Sequence, residues 1–254
     1  MSKDIIIYPS GDTTNSNPFV RFSGGSDMNY IMEITDDGYV DLSVEENIVT
    51  SGLTFYVDAG NYDSYSGGTT ARDLTNNVSQ GSLLNGVGYL NSWFLFDGTN
   101  DEISFPNDSV YKNQELTVDF WINLDYEPSG RHVMFTTWYG FTVEINNPSG
   151  QIKWGLTGLP SQYMSGGYIT YSQTHHLVCS YNPVTDSQKV YLDGSLSAQQ
   201  TVAGTINYGS STLRFSGSWD RTKGKMGAMK IYNRELSATE ILQNYNAQKH
   251  RFGL

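Results

Sequence analysis

A single cysteine, Cys179, in 254 residues rules out an internal disulfide, and its place in an apolar run reads as a small buried hydrophobe. Charged residues make up only 16% of the chain, which disfavours long charged helices and coiled coils. Basic residues are the scarcer sign: 15 Lys and Arg stand against 26 Asp and Glu, a net charge of -11. A duplex nucleic-acid binder needs a positive footprint, so no nucleic-acid partner is expected. Long apolar runs are missing too. The opening MSKDIIIYPSGD holds only Ile5 to Ile7, too short for a signal peptide or a membrane span. The expectation is synthesis in a reducing cytoplasm, no export by the usual route and no membrane partner.

What is present is β-forming: 26 Gly, 18 Tyr, 11 Phe and 5 Trp among many Ser, Thr and Asn. Leu53, Phe55 and Val57 alternate with Thr54, Tyr56 and Asp58. Leu116, Val118, Phe120, Ile122 and Leu124 alternate with Thr117, Asp119, Trp121 and Asn123. That is the period of strands with two unlike faces. Trp93–Phe96, Ile103–Phe105, Phe141–Ile145, Leu177–Tyr181, Lys189–Leu192 and Leu213–Phe215 continue the series, with turns at Asn147 to Gly150, Asn182-Pro183 and Asp193-Gly194. Many short strands at this spacing predict an all-β jelly-roll sandwich from about residue 50 to 254.

Residues 1–49 read differently. Ile5–Tyr8, Phe19–Phe22, Tyr30–Ile34 and Tyr39–Leu42 predict short strands, with Asp36-Asp37-Gly38 as a hairpin turn. The segment has too few large apolar residues to hold its own core. It is expected to serve as a β arm for docking or oligomerisation, or to lie on the main domain.

One helix is predicted near the end. Ser237 and Glu240 form a capping box, flanked by Leu236 and Ile241 as a hydrophobic staple. Ile241, Leu242 and Tyr245 share the face expected to meet the sandwich. Lys249, His250 and Arg251 follow where the helix dipole favours cations, and Gly253 ends the run.

Several motifs in order carry a family resemblance. Gly52-Leu53-Thr54-Phe55-Tyr56-Val57-Asp58-Ala59, Phe96-Asp97-Gly98-Thr99-Asn100-Asp101 and Leu116-Thr117-Val118-Asp119-Phe120-Trp121 are the first three. His175-His176-Leu177-Val178 with Lys189-Val190-Tyr191-Leu192-Asp193-Gly194 follows, then Ile231-Tyr232-Asn233-Arg234-Glu235-Leu236-Ser237. Together they resemble concanavalin A-like, laminin-G-like jelly-roll domains. Departures occur where members often carry Trp: Ala71 or Arg72 stands before Asp73-Leu74, and Thr174 before the histidines. The stretch Gln243 to Leu254 resembles the ending of jelly-roll proteins encoded by tailed bacteriophages. That likeness, taken with the N-terminal arm, the acidic balance and the absent signal peptide, implies a non-enzymatic virion protein made in the host cytoplasm, a capsid decoration or a head or tail fibre component. Its partners would be a capsid shell or fibre base, and it would assemble as a homo-oligomer such as a trimer.

The candidate sites are few. Glycosidases of the resembled fold place their carboxyls as E-x-D-x-E or E-x-D-x-x-E on one strand. No such string occurs: Glu144 is followed by Ile145-Asn146-Asn147, and Asp119 has no second acid nearby. No G-x-S-x-G elbow is present either, so no catalytic residue is expected. His175 and His176 are adjacent and face opposite sides of a strand, which does not make a metal site. The resemblance implies calcium as the one metal, with Asp97, Asn100 and Asp101 as weak ligand candidates and the Ser218-Trp219-Asp220 loop as a second oxygen-rich stretch. The competing reading of Asp97 to Asp101 is a tight turn held by backbone hydrogen bonds. Trp138, Tyr139, Tyr163, Tyr168, Tyr171, Trp219, Asp220 and Arg221 lie in or near loops. Aromatic platforms beside polar groups suit surface glycans, and suit a protein partner equally. A lectin-like glycan-binding module is therefore the rival to the virion reading, and a divergent glycan-processing enzyme the weaker alternative.

Overall fold

In a computed structural model the described residues are 19–23, 29–34, 40–44, 47–216 and 220–254. The chain divides into two units, Met1–Asn47 and Ile48–Leu254. In the first, Phe19–Ser23, Asn29–Ile34 and Val40–Val44 form a three-stranded antiparallel sheet in that order. The expected strand Ile5–Tyr8 and the Asp36-Asp37-Gly38 turn lie outside the described residues.

The second unit is an all-β sandwich of two eight-stranded sheets. The first sheet runs Ser195–Thr201, Ser187–Leu192, Thr174–Asn182, Leu116–Leu124, Lys223–Tyr232, Trp93–Asp97 and Gly88–Leu90, with Leu53–Val57 also paired to Lys223–Tyr232. The second runs Tyr163–Tyr168, Gln151–Leu156, Phe141–Asn146, Arg131–Thr136, Leu213–Phe215, Glu102–Phe105, Gly81–Leu84 and Thr70–Ala71. The predicted alternation sets the faces. Leu116, Val118, Phe120, Ile122 and Leu124 turn inward and meet Phe135, Phe141, Val143, Ile145 and Trp154 of the facing sheet in one continuous core. Edge-to-face pairs tie the layers, among them Phe120 with Phe135 at 5.5 Å and Phe55 with Phe105 at 4.9 Å. Cys179 is fully buried in this core, and burial pushes its thiol pKa well up.

The helix Ala238–Gln248 starts with the predicted capping box: the Ser237 hydroxyl accepts from the Glu240 N–H, and Glu240 Oε2 accepts from the Ser237 N–H at 2.9 Å. Its buried face is the expected one in part: Ile241 is buried and Tyr245 stacks on Trp121 at 5.7 Å, but Leu242 is not part of it. Leu242 is 46% exposed, while Ile241, Asn244 and Gln248 are buried. The reason lies in the surface beneath. The outer face of the first sheet presents Asp119 and Lys230, so the helix must bring polar groups to them. A turn of 3-10 helix, Lys249–Phe252, follows, and Phe252 stacks on Trp121 at 4.6 Å. Arg251 pairs through two nitrogens with Asp58, and Gly253 adopts φ 85°, a left-handed conformation that favours glycine. Helix and turn thereby cover the middle of the first sheet's outer side. Among the described residues no helix is long and apolar enough to cross a membrane.

Candidate functional site

With the first sheet capped by the helix, the outer face of the second sheet carries a depression. In Phe141–Asn146, Phe141, Val143 and Ile145 point to the core, so Thr142 and Glu144 point out. In Arg131–Thr136 a bulge between Val133 and Phe135 resets the alternation, placing Val133 opposite Glu144 and Thr136 opposite Thr142. Gly155 pairs with Tyr163 across the next two strands. A Cβ on Gly155 would lie 2.6 Å from the Tyr163 ring, so the missing side chain lets that ring lie against the sheet.

The result is a cleft of about 380 Å³ lined by Arg131, Val133, Thr136, Trp138, Tyr139, Thr142, Glu144, Thr157, Gln162, Tyr163 and Asp220. Its volume falls within the range of about 300–1,000 Å³ usual for small-ligand sites. Arg131 is its organiser: Nη1 donates to Glu144 Oε2 at 3.0 Å and Nε to Asp220 Oδ2 at 2.7 Å. The Tyr163 hydroxyl donates to the other Glu144 oxygen at 3.2 Å. Burial raises the Glu144 carboxyl above its ordinary pKa, against the pull of Arg131 and Tyr163. The Arg131 guanidinium is raised, chiefly by its hydrogen bond to Asp220.

The aromatic rim is built by one tight connection. Thr136 Oγ1 accepts from the Trp138 N–H at 2.7 Å, and Thr137 O accepts from the Tyr139 N–H at 2.7 Å. Trp138 is held at φ 61°, unfavourable for a bulky side chain. Its indole remains 46% exposed and the Tyr139 ring 54%. A locally strained backbone that keeps a large aromatic in solvent points to use of that side chain.

Four of the residues singled out in the sequence line this cleft: Trp138, Tyr139, Tyr163 and Asp220. Others do not. Tyr168 faces Gln151, five residues and so roughly 16 Å along the strand from Tyr163. Tyr171 is engaged with Asn147 and lies edge-on to Tyr126 at 5.6 Å. Arg221 turns to Glu102, which also pairs with Arg214. Ser218 and Trp219 lie outside the described residues. Arg131, Glu144, Gln162 and the threonines were not singled out as site residues. Outward alternation marks Glu144 and Thr142 in the sequence, but the partnership with Arg131 and Asp220 depends on strand register.

The other titratable candidates serve the fold. His176 points outward and its Nε2 lies 3.1 Å from Asp119 Oδ1, whereas His175 lies 2.9 Å from Asp193 Oδ2 at a hairpin turn. Asp97 accepts from the N–H of Thr99 and of Asn100, and Asp101 Oδ2 accepts from the Asp97 N–H. The Asn100 carbonyl accepts from Asn85. Asp101 Oδ1 is buried without a partner, but that is one oxygen where calcium takes about six to eight. Arg221, a fixed cation, acts on the same carboxyl. This donor set does not fit calcium, and the loop is the hydrogen-bonded turn. Among the described residues no group of three or more His, Cys, Asp or Glu could hold a metal ion.

A laminin-G-type family model, described as the Concanavalin A-like lectin/glucanases superfamily, matches residues 97–242. The chain belongs to that superfamily. The matched residues of this lectin/glucanase-type sandwich include every lining residue of the cleft. Comparison with curated proteins gives no match. Among solved structures, the chain is similar to domain 4 of AbnA, an extracellular arabinanase of Geobacillus stearothermophilus, in complex with arabinotriose. The TM-score is 0.59 at 17% identity, covering 77% of this chain and 98% of that one. Trypanosoma rangeli sialidase in complex with the inhibitor DANA gives 0.62 at 16% identity, covering 89% of this chain and 44% of the sialidase. The binding domain of Paraclostridial Mosquitocidal Protein 1 gives 0.62 at 15%, covering 77% and 52%. This chain therefore spans about half or less of the last two, and at these identities the likeness is one of fold.

Proposed function

We propose that the protein is a non-catalytic glycan-binding module and that the cleft on the outer face of its second sheet is the binding site. The observation that carries this is the pairing of an exposed aromatic rim, Trp138 on a strained backbone and Tyr139 beside it, with a polar floor organised by Arg131. Aromatic faces stack on the C–H faces of sugar rings, while hydroxyls and amides match sugar hydroxyls. The ligand-bound arabinanase domain, similar over nearly its whole length, supports the same assignment.

Support for binding without turnover comes from how the carboxylates are used. In most glycosidase families hydrolysis uses one carboxyl to give a proton and a second as base or nucleophile across the bond. Here Glu144 has both oxygens engaged, one by Arg131 and one by Tyr163, and Asp220 is tied to the same guanidinium. A screen of immobilised glycans with the wild-type protein and with Trp138→Ala tests the reading. A restricted set bound by the wild type and lost in the variant supports it. No glycan bound, or binding indifferent to Trp138, rejects it.

A role in a phage particle, attached to a capsid shell or fibre base through residues 1–49, is compatible with this reading as a decoration that also adheres. Its support is confined to the sequence resemblance of the C-terminal stretch, and the family model and similar structures carry no phage link. The solution mass of the full chain checks the oligomerisation part of that role: a trimer favours it and a monomer opposes it.

A further inference from the structure

The charges inside the cleft narrow the class of saccharide, an inference that rests on the reading of the cleft as a glycan site. Arg131 is the single cation among the described lining residues, and its two ion pairs are with the carboxylates Glu144 and Asp220. Two carboxylates against one guanidinium leave one negative charge in the cleft, on a chain whose net charge is already -11. The side chains left to meet a ligand are neutral: Thr142, Thr157 and Gln162 line the cleft, and none makes a side-chain hydrogen bond within the described residues. Hydroxyls and an amide both give and accept, which matches sugar hydroxyls. A ligand carboxylate or sulfate would meet uncompensated negative charge, and the cation able to answer it is already paired.

We infer that this cleft selects neutral, hydroxyl-rich saccharides and excludes those bearing carboxylate or sulfate groups. The test is calorimetric titration of the full chain with neutral oligosaccharides (arabino-, xylo-, gluco- and galacto-series) and with sialylated, uronate-containing and sulfated ones, at low and high salt. Neutral ligands should bind with an affinity that salt leaves unchanged. Acidic ligands should bind tenfold or more weakly, and the gap should shrink as salt screens the repulsion. Asp220→Asn, a change at a partly exposed position that removes the surplus negative charge, should raise acidic-ligand affinity several-fold and narrow the gap to the neutral ligands. The salt series on the wild type stands even if the variant folds poorly.

The outcomes separate the two claims. An acidic saccharide bound as tightly as the neutral ones, and lost in Trp138→Ala, would overturn the selectivity and leave the glycan site standing. No saccharide of either class bound, or binding that Trp138→Ala does not weaken, would overturn the site and the selectivity with it.

Discussion

Lys230 donates its ammonium proton to Asp119 at 2.9 Å, and neither side chain has any exposure to solvent. The pair sits between the first sheet and the C-terminal helix, with further bonds from Lys230 to Gln248, from Asn244 to Asp119 and from Trp121 to Gln248. Such a pair contributes little over an apolar packing of the same shape, but removing one member strands a buried charge. Lys230→Met is therefore expected to cost about 3–5 kcal/mol in chemical denaturation. Asp119→Asn with Lys230→Met should cost less than the sum of the single changes, because it leaves no unpaired ion.

Acid should loosen the same region first. Lys230 and His176 hold Asp119 well below its ordinary pKa despite its burial, and Arg251 does the same for buried Asp58. Glu240 is lowered from 4.5 to about 2, first by its hydrogen bonds with Arg234. Depressed carboxyls contribute stability that is full above their unfolded pKa and lost as pH falls through the folded value. Melting temperature should thus fall as pH is lowered from about 4.5 toward 2. Glu240→Gln should flatten that slope. Glu144 runs the other way: burial raises its pKa on folding, so through this group a fall in pH adds stability. An acid profile that is flat down to pH about 2 would contradict these couplings.

Gly155 tests how the cleft is shaped. A Cβ there would approach the Tyr163 ring to 2.6 Å and Thr142 Cγ2 to 2.8 Å. Gly155→Val should push the ring off the sheet and break its bond to Glu144. Because Tyr163 is 42% exposed, the stability loss should stay near 1–2 kcal/mol while glycan affinity falls tenfold or more. Melting curves read beside calorimetric affinities distinguish the two effects.

Trp138 separates strain from binding. Glycine accepts φ 61° without penalty, so Trp138→Gly relieves about 1 kcal/mol of backbone strain. The variant should keep a melting temperature within a few degrees of wild type, or exceed it, while losing most of its glycan affinity. A stability loss above about 3 kcal/mol would mean that the indole serves packing instead.

Much of the sandwich is legible in the sequence because its strands have unlike faces. Leu116 to Leu124 alternates apolar with polar, and each residue takes the side that the pattern assigns. The helix face is less legible: Leu242 reads as core and Asn244 and Gln248 as surface, until Asp119 and Lys230 beneath them are known. Part of the cleft is visible in the sequence, as Trp138, Tyr139, Tyr163 and Asp220 among its eleven described lining residues. The rest is not, because the pairing of Arg131 with Glu144 and Asp220 depends on cross-strand register and the bulge after Val133. Read along the strand, Glu144 has no acidic neighbour, and its companions arrive only by folding.

The most direct test of the glycan site is to map where a bound saccharide sits. Amide and indole chemical shifts should be followed during titration with the strongest ligand from the glycan screen. The account predicts that the perturbed signals centre on Trp138, Tyr139, Thr142, Glu144, Gln162 and Tyr163, with the helix Ala238–Gln248 unmoved. Shifts centred on another face, or none at saturating ligand, would contradict it.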